Sequence, residues 1–462
     1  MPHRGAEQIG RTELGPRPLP PLGPPRAPSA PPVVDTVLDS GLRVIAVRRP
    51  AVPMVELRLE IPFGGTERTH PARAELLAMT LLRGTPRRDR FAIDKALAAV
   101  GGDLSAGVDP EHLSVSGLAL ASGLDVVLDV LADALTSASY TATEVDRERD
   151  RLVERLSVSR STPRVIAREA LQRRRYGDHP FAREWPEADD VAAVTAAALH
   201  DLHRRSVVPG GAVLVLVGDI VPAGSVAAVA SALAGWRSDH PATELALLPE
   251  LTGADLQLVH RESAVQSQLR LSAQAVPRNH ERYPALQVAN LVFGGYFSSR
   301  WVENIREDKG YTYSAHCGFE FTRHGATLIA TADTASEVTA VALLETRYEL
   351  GRIAVVAPDE SEVDNARQYA IGSLTIATAS QRGLAGRLAT LATVGLDLDW
   401  LLTHPGRLQA VTTGQVVEAA TEFFAPPRFT GVIVGDAKRL ADPLAALGGV
   451  ELPPPRHGDI SG

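Results

Sequence analysis

The stretch that decides the fold is residues 290–321, NLVFGGYFSSRWVENIREDKGYTYSAHCGFEF, because its periodicity changes at Gly310. Before Gly310 the pattern is that of a helix, and Ser298 and Ser299 are residue types that cap helix N-termini. After Gly310 the apolar residues alternate, which is the period of a strand. The segment is therefore predicted to be a helix, a glycine stop and a strand. One face of that strand is predicted to carry Tyr311, Tyr313, Ala315, Cys317, Phe319 and Phe321.

This arrangement places two polar groups on opposite sides of a tight turn. Arg306 falls in the last helical turn, and Tyr313 lies seven residues further on, beyond Gly310. A guanidinium and a phenol so placed can converge on one hydrogen-bond acceptor, such as a peptide carbonyl. The alternative is that Arg306 forms a surface salt bridge and Tyr313 faces the core.

A second feature is an internal repeat, because several short motifs recur in one register. A chain that repeats once at about half its length is a duplicated domain and not a solenoid. The matching motifs are Val194-Thr195 with Val411-Thr412, Pro209 with Pro426 and Val217-Gly218-Asp219 with Val434-Gly435-Asp436, all offset by 217 residues, and Glu144-Val145-Asp146 with Glu362-Val363-Asp364, offset by 218.

Together these features resemble the pitrilysin/insulinase family of zinc metallopeptidases, nearly throughout residues 34–450. In the family's C-terminal domain, a helix–turn–strand supplies an arginine/tyrosine pair that holds substrate near the metal. Arg306, Gly310 and Tyr313 match that segment position for position. The resemblance implies an α+β fold of two homologous α/β domains, each a mainly antiparallel sheet with helices packed on it.

The resemblance also implies a zinc site on the first helix, and the aligned positions lack its ligands. The family holds zinc with two histidines of a His-x-x-Glu-His motif, whose glutamate is the general base, and with a later glutamate. That helix ends in a Gly-Thr pair, here Gly84-Thr85, and counting back places the motif at residues 75–79. The degenerate positions are Glu75 and Met79 for the histidines, Ala78 for the base and Arg155 for the later ligand, with Glu154 beside it.

The chain thus keeps the substrate-holding half of a family active site and lacks the metal half. Some family members are dimers of short chains, in which one subunit carries zinc and the other carries the arginine/tyrosine pair. The resemblance implies that this chain is the second kind of subunit. It is expected to bind no zinc, to be inactive alone, and to hold peptide for a homologous zinc-bearing partner. Two alternatives remain: a structural subunit like the core proteins of the respiratory cytochrome bc complex, and a homodimeric peptide-binding protein.

The chain is expected to contain two domains joined by a linker. Residues 1–33 contain ten prolines and no apolar run, so a disordered tail is predicted there. The N-terminal domain is predicted over residues 34–236, opening with a strand at residues 37–47. A polar, proline-interrupted linker follows at 237–252, then the C-terminal domain at 253–450 and a tail at 451–462.

Composition and the other motifs argue against several function classes. The net charge of −8 and the pI near 5.9 do not favour nucleic acid or membrane as partners. No apolar stretch approaches about 20 residues, and no signal-peptide core is present, so the cytoplasm is the expected location. His200 and His203 have chelating spacing, but a solvated helix face is the favoured interpretation. Cys317 is the single cysteine, which excludes a cysteine-based zinc site.

Overall fold

The structure, a computed structural model, describes residues 30–323 and 325–453. Within these residues it contains two six-stranded sheets with helices packed on them, one in the N-half (residues 33–236) and one in the C-half (residues 254–451). The predicted α+β fold of two homologous units is therefore confirmed. Among the described helices, none is both long enough and apolar enough to cross a membrane.

In the N-half, the strand order is that of a mainly antiparallel sheet with one parallel pair. The strands are β1 (Val33–Val37), β2 (Arg43–Arg48), β3 (Met54–Pro62), β4 (Asp103–Val108), β5 (His112–Leu120) and β6 (Val213–Gly218), in the order β1-β2-β6-β3-β5-β4. The helices are α1 (His70–Thr80), α2 (Arg90–Ala99), α3 (Leu124–Ser137), α4 (Ala142–Ser159), α5 (Pro163–Tyr176), α6 (Ala188–Ala192), α7 (Ala196–Ser206) and α8 (Pro222–Ala232).

The C-half repeats this scheme. Its strands are β7 (Leu256–His260), β8 (Gln266–Ala275), β9 (Thr312–Thr322), β10 (Gly325–Ala335), β11 (Thr430–Gly435) and β12 (Val450–Glu451), in the order β12-β7-β11-β8-β10-β9. Its helices are α9 (Tyr283–Asn290), α10 (Arg300–Val302), α11 (Thr339–Val355), α12 (Glu360–Ala377), α13 (Gln381–Ala392), α14 (Leu398–Gln409), α15 (Thr413–Phe423) and α16 (Ala437–Leu447).

The two sheets share one topology over five strands, which accounts for the repeated motifs. The order β2-β6-β3-β5-β4 in one sheet corresponds to β7-β11-β8-β10-β9 in the other. Thr195 and Thr412, from matching motifs, cap α7 and α15 by accepting hydrogen bonds from the amides of Ala198 and Gln415. The sixth strands differ in origin, because β1 precedes its sheet in the chain and β12 follows its own.

Helices α5 and α13 occupy equivalent places in the repeat, and each covers the sheet of the other half. Ala167 and Leu171 of α5 pack against Val432 of β11. Leu388 of α13 packs in a cluster with Val215 of β6. Each half therefore completes the hydrophobic core of the other.

An ion pair that includes a buried arginine lies at one of these contacts. The Arg175 side chain on α5 is fully enclosed and donates hydrogen bonds to Glu320 at 2.6 Å and to the Thr327 hydroxyl at 3.0 Å. Burial lowers the pKa of Arg175 to about 10, so the guanidinium stays charged near neutral pH. Arg168 pairs with the same Glu320 carboxylate. Breaking such a pair leaves a buried charge, which makes the α5 contact costly to open.

The strand predicted over residues 37–47 is wrong. The structure has a hairpin, in which β1 and β2 pair antiparallel around a turn at residues 38–42. Gly41 takes a positive φ of +85°, which a residue with a side chain adopts only at a cost. Of the predicted tails, residues 1–29 and 454–462 lie outside the described residues, and Val33 already begins β1.

Candidate functional site

The helix, glycine stop and strand around Gly310 form as predicted, with π-helical turns in the helices. A π-helical turn follows α9 at residues 291–295, and a second one continues α10 over residues 303–308. Gly310 has a φ of +64°, and the next amide, that of Tyr311, bonds the carbonyl of Ile305 at 2.8 Å. The helix therefore ends at the predicted glycine, and Arg306 lies in its last turn, just before β9.

The face predicted for Tyr313 is wrong, because β9 contains a bulge. Between Thr312 and Ala315 the strand has one more residue than β10 opposite, which interrupts the regular alternation. Tyr313 lies in this bulge and is 86% exposed, whereas Thr312 and Cys317 are buried. This exposure also excludes the alternative in which Tyr313 faces the core.

Arg306 and Tyr313 are in direct contact. The guanidinium carbon of Arg306 lies 4.9 Å from the centre of the Tyr313 ring and 4.6 Å from the centre of the Phe297 ring. Phe297 is 53% exposed, so the two rings hold the guanidinium between them at the surface. Within the described residues, the Tyr313 hydroxyl and the terminal nitrogens of Arg306 make no hydrogen bond, while Arg306 Nε lies 3.2 Å from Glu307. The Tyr313 side chain is exposed to solvent, and the Arg306 side chain is 29% exposed.

Phe297 was not predicted as a site residue. The sequence offers one signal for it, since two aromatic residues, Tyr296 and Phe297, stand between the glycine pair and the serines that precede α10. Its partners lie nine and sixteen positions away, and only the folded turn brings the three together.

The degenerate metal positions also lie together. Glu75 and Met79 are one turn apart on α1, and Arg155 approaches both from α4. Arg155 Nη2 lies 2.9 Å from Glu75 Oε1 and 3.3 Å from Met79 Sδ. The contact identifies Arg155, and not its neighbour Glu154, as the residue that faces α1. Ala78 is buried and has no group that can act as a base.

These residues do not fit a zinc ion. A structural or catalytic zinc needs at least three imidazole, thiolate or carboxylate ligands, and the only such group at these positions is the Glu75 carboxylate. The Arg155 guanidinium adds a positive charge where a cation would sit. Burial raises the pKa of Glu75, and Arg155 partly offsets that rise. In residues 30–323 and 325–453, no group of three His, Cys, Asp or Glu side chains is placed to hold a metal.

Of the two histidines of α7, His203 serves the fold and His200 faces solvent. The ring of His203 lies with Nδ1 2.6 Å from the Tyr140 hydroxyl and Nε2 2.9 Å from the Leu135 carbonyl, so both nitrogens are occupied. His200 is exposed and meets Tyr140 edge-on. The predicted solvated face is right for His200 and wrong for His203, which is half-buried.

Two cavities form a concave surface that lies beside both the degenerate metal positions and the strand that carries Tyr313. A cavity of about 320 Å³ adjoins Glu75 and Arg155, and a second cavity of about 480 Å³ adjoins Ser314, the residue after Tyr313. Trp185 lines both cavities. Nothing in the sequence pattern pointed to Trp185, which lies in a loop between helices.

Two family descriptions match the chain in succession. The description "Insulinase (Peptidase family M16)" matches residues 43–187, and "Peptidase M16 inactive domain" matches residues 193–369. Together they extend over most of residues 43–369, and the second includes the whole segment around Arg306 and Tyr313.

The chain is also similar to named proteins in sequence and to solved structures in fold. An uncharacterized zinc protease of Mycobacterium tuberculosis is 27% identical over 298 residues, which are 63% of this chain and 68% of the relative. The uncharacterized zinc protease YmxG of Bacillus subtilis is 24% identical over 359 residues, 76% of this chain and 85% of the relative. A peptidase M16 inactive domain from Pseudomonas fluorescens superposes with a TM-score of 0.80 at 23% identity, covering 87% of this chain and 98% of its own. A protease from Helicobacter pylori superposes with a TM-score of 0.80 at 18% identity, covering 88% and 100%.

Proposed function

The chain belongs to the insulinase (M16) family of peptidases, and we propose that it is the substrate-holding, non-zinc-binding subunit of a heterodimeric zinc metallopeptidase that cleaves peptides. The observation that carries the proposal is the contact between the exposed Tyr313 and the partly exposed Arg306, whose hydroxyl and terminal nitrogens make no hydrogen bond among the described residues. In the same chain, Arg155 and Glu75 pair at the positions that a catalytic subunit would use for metal.

The role proposed for the pair is to hold peptide carbonyl oxygens beside the bond that is cleaved. Arg306 offers its terminal nitrogens and Tyr313 its hydroxyl, and the ring contact fixes their relative placement. Fixed donors of this kind typically contribute about 3 kcal/mol each when charge develops on oxygen in the transition state.

Main-chain contacts to the peptide are expected at a sheet edge. β4 and β9 each end their sheet, and within the described residues neither pairs with a further strand on its outer side. An extended peptide can add there through main-chain hydrogen bonds, with pockets selecting its side chains. β4 leads to Val108, which lines the cavity beside Glu75, and β9 carries Tyr313.

Zinc and the general base are assigned to the partner, a homologous chain with an intact His-x-x-Glu-His motif. Exposure favours this proposal over a purely structural subunit. A packing role explains neither the 86% exposure of Tyr313 nor the half-exposed Phe297 beside it. The partner is expected to close over the concave surface, with the peptide between the two chains.

The test is co-expression with such a homologue, followed by size-exclusion chromatography and peptide cleavage. We expect one heterodimer peak at micromolar concentration, with cleavage by the pair and none by this chain alone. Two separate peaks, or a partner that cleaves equally well without this chain, would overturn the proposal.

A further inference from the structure

We propose that the cavity between α5 and the C-half sheet binds a carboxylate of the peptide substrate. This cavity of about 480 Å³, called here the α5 cavity, is lined among others by Arg164, Arg168, Trp185, Arg270, Ser314 and Asp333. The inference rests on the proposed function, because it requires a peptide on the adjoining surface. It adds a substrate class, namely peptides that present an acidic group a few residues from the site of Tyr313.

Charge is the first argument. Four arginines lie in or behind this cavity, and three carboxylates neutralise three of them. Arg164 is exposed and has no ion-pair partner among the described residues. The other three arginines are all paired: Arg168 with Glu184 and Glu320, Arg175 with Glu320, and Arg270 with Asp333 at 2.8 Å.

The position of Arg164 on its helix adds to this charge. α5 begins at Pro163, and its N-cap Thr162 makes no capping hydrogen bond through its side chain. The cavity runs along one side of α5 from Arg164 and Val165 to Leu171, so its first part lies near the positive end of the helix dipole. Burial, and to a smaller extent the charge of Arg164, lowers the pKa of Arg270. A bound anion would relieve this repulsion between two arginines.

The walls suit an acidic side chain with an aliphatic stem. Ile329 and the Trp185 ring provide apolar surface, and the Ser314 hydroxyl adds a donor, while the Thr331 hydroxyl already donates to the His316 carbonyl. Ser314 directly follows Tyr313 in the bulge of β9. An extended peptide advances roughly 3.3 Å per residue, so a residue a few positions from the carbonyl held at Tyr313 is expected to reach the cavity beside Ser314. The carboxylate can come from an Asp or Glu side chain or from the peptide C-terminus.

A titration of the purified chain with peptides distinguishes a side-chain carboxylate from a C-terminal carboxylate. Trp185 reports binding by its fluorescence, and Trp185→Phe identifies its share of the signal. The probes are alanine-rich decapeptides with a single internal Glu or Gln, each with a free or an amidated C-terminus. Among amidated peptides, the Glu peptide should bind roughly 3- to 10-fold more tightly than the Gln peptide, with the preference shrinking at high salt. If the free C-terminus confers the preference instead, it is the carboxylate source. Equal affinity for all four peptides overturns the proposal.

Variants separate this inference from the proposed function. Arg164→Gln should abolish the carboxylate preference, and Arg164→Lys should keep part of it. Arg173→Gln is the matched control, because Arg173 is exposed on the same helix and does not line the cavity. Tyr313→Phe should weaken the Glu and Gln peptides by one common factor. A preference that survives Arg164→Gln, or disappears equally in Arg173→Gln, overturns the α5 cavity. An unchanged affinity in Tyr313→Phe counts only against the proposed holding role.

Discussion

Arg155 on α4 donates a hydrogen bond to Glu75 on α1 at 2.9 Å, across the positions where the family resemblance places a metal ion. The guanidinium supplies the positive charge that the neighbouring carboxylate needs. It also contacts the Met79 sulfur, so it bridges both former histidine positions. The degenerate site is thus a partly exposed ion pair that links two helices without a metal.

The chain purified alone should contain no stoichiometric zinc. Its ligand positions hold Glu75, Met79 and Arg155, and the arginine repels a cation. Restoring the three ligands together, as Glu75→His, Met79→His and Arg155→Glu, should give about one zinc per chain, because the contacts show that these side chains share one site. Elemental analysis after dialysis measures both. Arg155→Glu alone is the control, and one equivalent of zinc in the unaltered chain would contradict the prediction.

The pH dependence of stability should report on Glu75. Burial raises the pKa of Glu75 above its ordinary value despite Arg155, so the charged form is disfavoured in the folded state. Glu75→Gln should therefore raise the free energy of unfolding at neutral pH. The advantage should shrink as pH falls through the raised pKa and vanish below the ordinary value of about 4.3.

Arg155→Gln is the opposing variant, because it leaves the Glu75 carboxylate partly buried without its partner. It should lower the free energy of unfolding at pH 7. It should also raise the pKa of Glu75 further, so that the pH range over which stability changes shifts to higher pH. Denaturant titrations between pH 4 and 8 compare the three proteins. A Glu75→Gln variant that is less stable at pH 7 than the unaltered chain would show that the ion pair outweighs the burial cost.

The exchanged helices should make the two halves unfold together. Leu388 lies on α13 of the C-half but is fully buried in a cluster with β6 of the N-half. Leu388→Ala should cost roughly 2–5 kcal/mol of unfolding free energy. Hydrogen exchange should speed up at the β6 amides, across the boundary between the halves. Leu344→Ala, at a half-exposed position of α11, is the control. Protection of β6 that is unchanged in Leu388→Ala would mean that the halves are independent.

Much of the fold follows from local patterns in the sequence. The duplicated organisation follows from short motifs repeated at one offset, and the helix ending at Gly310 depends on residues close together in the chain, where periodicity and capping preferences act. The helix exchange does not follow, because α5 is rich in arginine and its apolar residues give no sign of which sheet they cover.

The exposure of Tyr313 shows the same limit within the site. Strict alternation puts Tyr313 on the same face of the strand as the buried Cys317. One extra residue in β9 instead places Tyr313 in an exposed bulge. A bulge is set by pairing with β10, which begins after the strand has ended, so the pattern of β9 alone cannot show it. Phe297 and Trp185 escaped prediction for a related reason, since their partners are distant in sequence.

The role of the exposed pair can be separated from a structural one in the reconstituted heterodimer. Arg306→Ala and Tyr313→Phe should each lower turnover by roughly 10²-fold, the scale of one lost oxyanion donor. Phe297→Ala removes one of the two rings that hold the guanidinium, so a smaller loss of roughly 3- to 5-fold is expected. Melting temperatures should change little, since Tyr313 and Phe297 are exposed and such surface changes usually cost about 0.5 kcal/mol or less.

Tyr348→Phe supplies the matched control, because this tyrosine is 58% exposed on α11 and lies outside the site. It should leave both turnover and stability unchanged. A structural role would give the reverse pattern in the site variants, with lower melting temperatures and unchanged turnover in the folded fraction. Full activity in Arg306→Ala and Tyr313→Phe would remove the observation that carries the proposed function and would favour the structural subunit.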